Sequence, residues 1–280
     1  MAWYNIFGRK KETIKLSDKR KSASPRPPIP IRAKYDSAQT NDDNSNHWAN
    51  ADSLSADAAN SLGVRQTIRN RSRYEVGSNS FAKGMVLNVA DTLIGTGPHL
   101  QMESASVDLN TKFERDFSQW CDEINIAQKL KTLKIAKTVD GETFAQAVTN
   151  KRLDNPVKLS FLPIECDRVT SPYFDVFNRE NYIDGIKFDD VENPVYYDVL
   201  KYHPGGDNYS GTIHDSKRVQ AKHMAHWYRA DRSGQHRGIS EWSPALGLFA
   251  ELRRYTNAVI AAAESAADFG DYRPVDSFKE

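Results

Sequence analysis

The sequence predicts an α+β protein of mixed helices and an antiparallel β-meander, closing on one long helix. Three observations carry this. Apolar residues recur at helical spacing from Leu62 to Ala90 and again over 108–139. Between 182 and 229 short apolar runs are separated by turn residues, the pattern of a meander. From 244 to 269 a single apolar stripe runs along an uninterrupted helical pattern.

Taken in order, residues 1–34 hold ten Lys or Arg against two Asp or Glu and end in SPRPPIPIR. Such a segment cannot bury enough apolar area to offset its ordering entropy, so a disordered basic arm is expected. Limited proteolysis is expected to remove about the first 30 residues and leave a stable core. Residues 35–60 are rich in Asn, Asp and Ser and read as an irregular surface segment in which His47 and Trp48 are packing residues and not a site. From Leu62 to Ala90 the positions Val64, Ile68, Tyr74, Phe81, Met85 and Val89 allow one or two helices with an apolar face, leaving Arg65, Arg69, Arg71 and Arg73 on a solvated or interface face. Gly95, Gly97 and Pro98 force a turn, after which Leu100 to Met102 can start a strand. Over 108–139 Phe113, Phe117, Trp120, Ile124, Leu130 and Leu133 predict a continuous helix that Asp140-Gly141 ends.

Strands are expected at 142–148, 157–162, 182–188, 195–200 and 223–228, with turns at Asn155-Pro156, Asn193-Pro194 and His203 to Gly206. Ser243 and Pro244 suit the start of the last helix, and Gly270 suits its end. Its stripe is Leu246, Phe249, Leu252, Tyr255, Val259 and Ile260, beside a small face of alanines.

Composition narrows the function. The net charge of +1 gives no global nucleic-acid signal, so any role facing DNA rests on local patches. The two cysteines, Cys121 and Cys166, form neither a disulfide framework nor a zinc pattern. No apolar run nears the roughly 20 residues needed to span a bilayer. The opening MAWYNIFGRKK is not a secretion signal, because its apolar stretch precedes the basic cluster. Neither a nucleophile elbow nor a Cys–His arrangement is present, and GTG at 95–97 lacks the spacing and Lys-Ser/Thr end of a phosphate loop. His223 and His226 stand three apart on an expected strand, where they face opposite sides and cannot share a metal. Asp167 and the pair Asp189-Asp190 could hold a divalent ion in a nucleic-acid enzyme, the competing reading, but they lie beside turn residues and read as solvated loops.

One stretch stands apart. Ser233 to Ile239 joins the expected strand AHWYRADR to the long helix, and Gly234 and Gly238 flank Gln235 and Arg237 in what reads as a tight loop that positions polar side chains. Arg237 is the expected hydrogen-bonding anchor, to a carboxylate or to backbone carbonyls.

The same stretch resembles the lambda family of phage portal proteins, whose motif R-x-G-Q-x-R-G stands here as Arg232 to Gly238, followed by SPALGLFAELRRYTNAVIAAAESAADF. Further similarities follow in the same order: AKYDSAQT, SADAAN, RNRSRYEVGSNSFAKG, IGTGPHLQM, DGETF, ECDRVTSP and IDGIKFDD with PVYYDVLKYHPG. They cover about residues 33–269. The resemblance implies a disordered arm over 1–34, a portal wing domain over 35–243 and a stem-directed helix over 244–269, followed by an atypical tail over 270–280. It implies a structural protein with no cofactor, found in the virion and in the host cytoplasm during assembly. The expected partners are further copies in a dodecameric ring, the terminase motor, capsid and head-completion proteins, and double-stranded DNA passing through without base reading. Gly234, Gln235, Arg237 and Gly238 become a structural motif, and Arg253 and Arg254 candidates for an interface or the DNA channel. Because the family's chains continue into further stem, clip and crown, a shortened gene product, a non-functional prophage remnant or a fragment is expected. Such a chain, when isolated, is expected to be monomeric or to associate nonspecifically through the exposed stripe of its last helix.

Overall fold

The computed structural model describes residues 35–171, 181–207 and 216–270; the basic arm and nearly all of the expected tail lie outside the described residues. Two units are distinguished, Met1–Ser53 and Leu54–Glu280. In the first, the 3-10 turn Asp36–Ala38 leads into a run of turns. There Asn41 and Asn44 each accept the other's backbone N–H at 2.9 Å, and the His47 and Trp48 rings meet edge to face with centroids 4.5 Å apart.

The second unit opens with helices α1 (Ala56–Ala59), α2 (Leu62–Ser78), α3 (Ser80–Ile94), α4 (Val107–Glu123) and α5 (Ile126–Asp140). Asn79 divides α2 from α3. Its extended backbone ends the first helix, and its side chain accepts the N–H groups of Phe81 and Ala82 to cap the second. The expected helix over 108–139 is likewise two helices. Asn125 takes a left-handed φ of 52° between α4 and α5, a conformation that Asn tolerates better than most residues. The break lets α5 turn back and pack against α2, α3, α4 and the first strand. Gly141, at φ 91°, then ends α5 where the sequence places the turn. The strand expected from Leu100 does not form.

Among the described residues seven strands follow: β1 (Glu142–Thr149), β2 (Leu159–Ile164), β3 (Tyr182–Ile183), β4 (Ile186–Phe188), β5 (Pro194–Leu200), β6 (Ser216–Gln220) and β7 (Met224–Tyr228). They build two antiparallel sheets, ordered β2-β1-β7 and β3-β4-β5-β6. The meander therefore closes one strand earlier than the sequence predicts. Ser216–Gln220, which buries only Val219, is its edge strand and was not among the expected ones. A 3-10 turn over Ala221–His223 then redirects the chain so that β7 pairs with β1 instead. The expected strand at 182–188 is a hairpin, because Asp184 and Gly185 both have positive φ, the backbone of a tight primed turn.

The inner faces of the two sheets share one core. Phe144, Ile164 and Met224 come from the first, and Ile186, Phe188, Tyr197, Val199 and Val219 from the second. A separate helical core joins Val76, Ala82, Val86 and Val139 to Phe249 near the start of α6 (Leu246–Gly270). Before α6 lies a 3-10 turn over Ser243–Ala245, so Ser243 sits inside that turn and not at a helix cap.

The helical faces differ from the expected ones. Val64, Tyr74, Phe81, Met85 and Val89 are exposed. The buried side of α3 is the small-residue row Ala82, Val86 and Ala90, which allows close approach to α5. In α2 the buried row is Arg65, Arg69, Ser72 and Val76.

Candidate functional site: a buried arginine–carboxylate junction

Helical spacing places Arg65, Arg69, Ser72 and Val76 on one side of α2, and this side faces the sheets. The reading of a solvated basic face is thus corrected. Arg65 and Arg69 are buried, Arg73 is partly so, and of the four only Arg71 is fully exposed. An arginine can be buried only where carboxylates and carbonyls replace its water, and here several segments supply them.

At the centre is Glu142, the first residue of β1 and fully buried. It takes a bidentate pair from Arg237, Nε to Oε2 at 2.8 Å and Nη2 to Oε1 at 2.7 Å. It also accepts Arg69 Nη2 at 3.3 Å, the Gly238 backbone N–H at 3.1 Å and the His226 ring at 3.1 Å. Burial alone would raise this carboxyl. The Arg237 charge and the hydrogen bonds from His226 and Arg237 overcome that and hold it well below the usual carboxylate range. His226 is pushed down by burial, more than Glu142 pulls it up, and so stays a neutral ring.

Arg237 uses its remaining donors on the carbonyls of Val169 and Asp184 and on the Asp184 carboxylate. Asp184 also pairs with Arg65 and accepts the Thr170 hydroxyl. On the other flank Arg69 donates to Asp167 at 2.6 Å, while Arg73 grips Asp140 with a two-pronged contact at 2.7 and 2.8 Å. Cys166 donates its thiol to Asp140 at 3.6 Å, and burial raises that thiol far above its ordinary value. Both cysteines are buried and free.

The loop at 234–238 is built to reach this junction. Gly234 has a φ of 73°, and Gln235 closes the loop by accepting the Asp231 N–H and donating to the Arg237 carbonyl. Gly238 is required by proximity. A Cβ there would lie 2.3 Å from the carbonyl oxygen of Gly141, and one on Gly141 would lie 2.1 Å from the Ile239 carbonyl carbon. Two bare backbones thus pass each other where Glu142 meets Arg237.

Of the acidic positions weighed as metal ligands, Asp167 is taken up by Arg69 and Arg73, and Asp189 closes its own turn by accepting the Val191 and Asn193 N–H groups. Among the described residues no group of three or more His, Cys, Asp or Glu is placed to share a metal ion. The structure does not bring Arg253 and Arg254 to the junction. Arg253 donates to Glu75 at 2.8 Å and lies over the Tyr74 ring, whereas Arg254 is exposed on α6. Glu142, Asp184 and Asp140 were not singled out as site residues in sequence, although Asp140 marks a helix end, Glu142 lies in DGETF and Asp184 in IDGIKFDD.

The junction is therefore where scattered motifs meet. RNRSRYEVG contributes Arg69 and Arg73, DGETF contributes Glu142, ECDRVTSP contributes Cys166 and Asp167, IDGIKFDD contributes Asp184, and the glycine loop contributes Arg237. Comparison with curated proteins gives no match. The family model described as phage portal protein, lambda family, matches residues 42–272. That span contains every residue of the junction, and the chain belongs to the lambda family of phage portal proteins.

Proposed function

We propose that the chain is a subunit of the portal ring, through which double-stranded DNA enters and leaves the capsid. The family match over residues 42–272 carries this reading. Its role is structural. The buried junction serves as a rigid joint that sets the sheets and the glycine loop against α2 in the wing. The exposed stripe of α6, which directs the chain toward the stem, meets neighbouring copies, and Arg253 and Arg254 lie near that interface or the channel. DNA passes by charge and shape without base reading. The terminase motor, capsid and head-completion proteins are the remaining partners, in the virion and during assembly in the host cytoplasm.

The test is recovery of the chain from purified particles. Mass measurement of the native complex and negative-stain imaging should give closed rings of an integral number of subunits, present at one vertex. Particles that package DNA normally without this chain would overturn the proposal.

A further inference from the structure

A cleft of about 360 Å³ opens beside the junction, between the β4–β5 turn, β7 and the glycine loop. Its walls include Phe188, Glu192, Tyr197, His226, Tyr228 and His236. Both histidines are held from behind by carboxylates. His226 bonds Glu142 through Nε2 and is stacked between the rings of Phe144, at 4.2 Å, and Tyr228, at 4.4 Å. His236 bonds Asp57 through Nδ1 at 2.7 Å, and its backbone N–H bonds the same carboxylate at 3.0 Å. A ring nitrogen donating to a carboxylate leaves the other nitrogen of a neutral imidazole as an acceptor. Among the described residues His226 Nδ1 and His236 Nε2 have no hydrogen-bond partner, and neither does the hydroxyl of Tyr197. Tyr197 is 3 % exposed and the His226 side chain 7 %, so both are buried polar groups with hydrogen-bonding capacity left over at the cleft.

The chemistry of what remains selects the occupant. Gln235 is spent inside its own loop at both ends, and the Tyr228 hydroxyl is spent on the Gln235 carbonyl. The unspent atoms include the imidazole acceptor of His226, the Glu192 carboxylate and the Tyr197 phenol, so acceptors predominate. Neither lysine nor arginine is among the cleft's lining residues. Arg237 neutralises Glu142 from behind and His236 occupies Asp57, whereas among the described residues Glu192 has no cationic partner. The partly exposed Tyr228 ring lines the cleft, and an aromatic ring favours a flat cation. We propose that this cleft receives an arginine side chain from a partner polypeptide, its guanidinium donating to the His226 imidazole, the Tyr197 hydroxyl and Glu192. Guanidinium fits this set better than ammonium because its donors are spread in a plane and it stacks on aromatic rings. The site lies within one chain and does not depend on ring assembly.

The experiment titrates the purified protein with N-acetyl-arginine methylamide, its lysine and citrulline counterparts, and inorganic phosphate, following the histidine ring nitrogens by NMR. Arginine should saturate and shift the His226 and His236 signals. Citrulline keeps the shape and loses the charge, and should bind roughly 2- to 30-fold more weakly, the range of a cation–aromatic contact of about 0.5–2 kcal/mol. Glu192→Gln, at an exposed position, and Tyr197→Phe, which keeps the ring, should each weaken arginine binding several-fold and leave the melting temperature close to wild type. Absence of saturable binding overturns the proposal. So does citrulline or lysine binding as tightly as arginine, phosphate occupying the cleft in its place, or indifference to both variants.

Discussion

Helices α2 and α6 have opposite relations between polarity and burial. In α2 the charged residues Arg65 and Arg69 are buried while Tyr74 is exposed. In α6 Phe249 is buried while Leu248, Leu252, Tyr255, Val259 and Ile260 are exposed. Burial here follows the available partners. The arginines of α2 find carboxylates on β1, on the β3–β4 turn and beside Cys166. The stripe of α6 finds only the small helical core around Phe249 and Trp242 among the described residues. A buried charge network is poor evidence of net stability, since apolar replacements of equal volume can be as stable, but removing one member is costly. The arginine side of α2 is thus expected to specify geometry, and the apolar side of α6 to serve association.

Removing the central cation tests this contrast most severely. Arg237→Ala strands Glu142 without its main partner and should cost about 3–5 kcal/mol, read from urea unfolding. A loss under about 1 kcal/mol would mean that water or a neighbour replaces the guanidinium easily, and the junction would not be a specific joint. Gly238→Ala probes the same place through sterics. Its Cβ meets the Gly141 carbonyl, and the backbones must separate at a cost of about 1–3 kcal/mol, with Arg237 still present to show whether proximity or charge matters more. Thermal melts compare the two directly.

Acid sharpens the comparison with a smaller, graded effect. His226 is shifted down in the fold, so below about pH 6.5 the unfolded chain binds a proton that the folded chain refuses. Stability should therefore fall as pH drops through that region, by at most about 1.4 kcal/mol per pH unit for this one group. Glu142 is shifted down as well, so its effect has the same sign but acts at lower pH. Its contribution is fully present above its unfolded value near 4.3 and is lost only as pH falls toward its lower folded value. His226→Asn should flatten the first slope, and an unchanged profile would remove His226 from the account. The smallest effect on stability belongs to α6. Leu252→Ser with Val259→Ser should alter unfolding free energy by no more than about 0.5 kcal/mol per site, as for surface positions, while reducing self-association in sedimentation. A large loss of stability would show that this face is packed within the chain.

Much of the fold was legible in the sequence because its signals are local. Asp140-Gly141 stops a helix, Asn193-Pro194 turns a chain, and β1, β5 and β7 stand close to their expected places. Arg237 was legible as an anchor because glycines at both ends of a short loop mark a backbone brought close to something. Its main partner was not, because Glu142 lies 95 residues away and one glutamate at the head of a strand looks like any other.

By itself the sequence determined the α+β class, the order of most elements, the turns and the family, since each rests on short-range periodicity, on turn chemistry or on collinear motifs. Only the tertiary structure decided which face of each helix is buried. Spacing divides a helix into faces without saying which of them meets the core, and apolar content favoured Tyr74 and Phe81 over Arg69 and Ala82. It also decided that β7 leaves the meander for β1, because strand pairing is chosen between distant segments. In both cases the deciding partners come from distant segments. A guanidinium is expensive to bury until carboxylates from other segments surround it, and that enclosure exists only once the chain has folded.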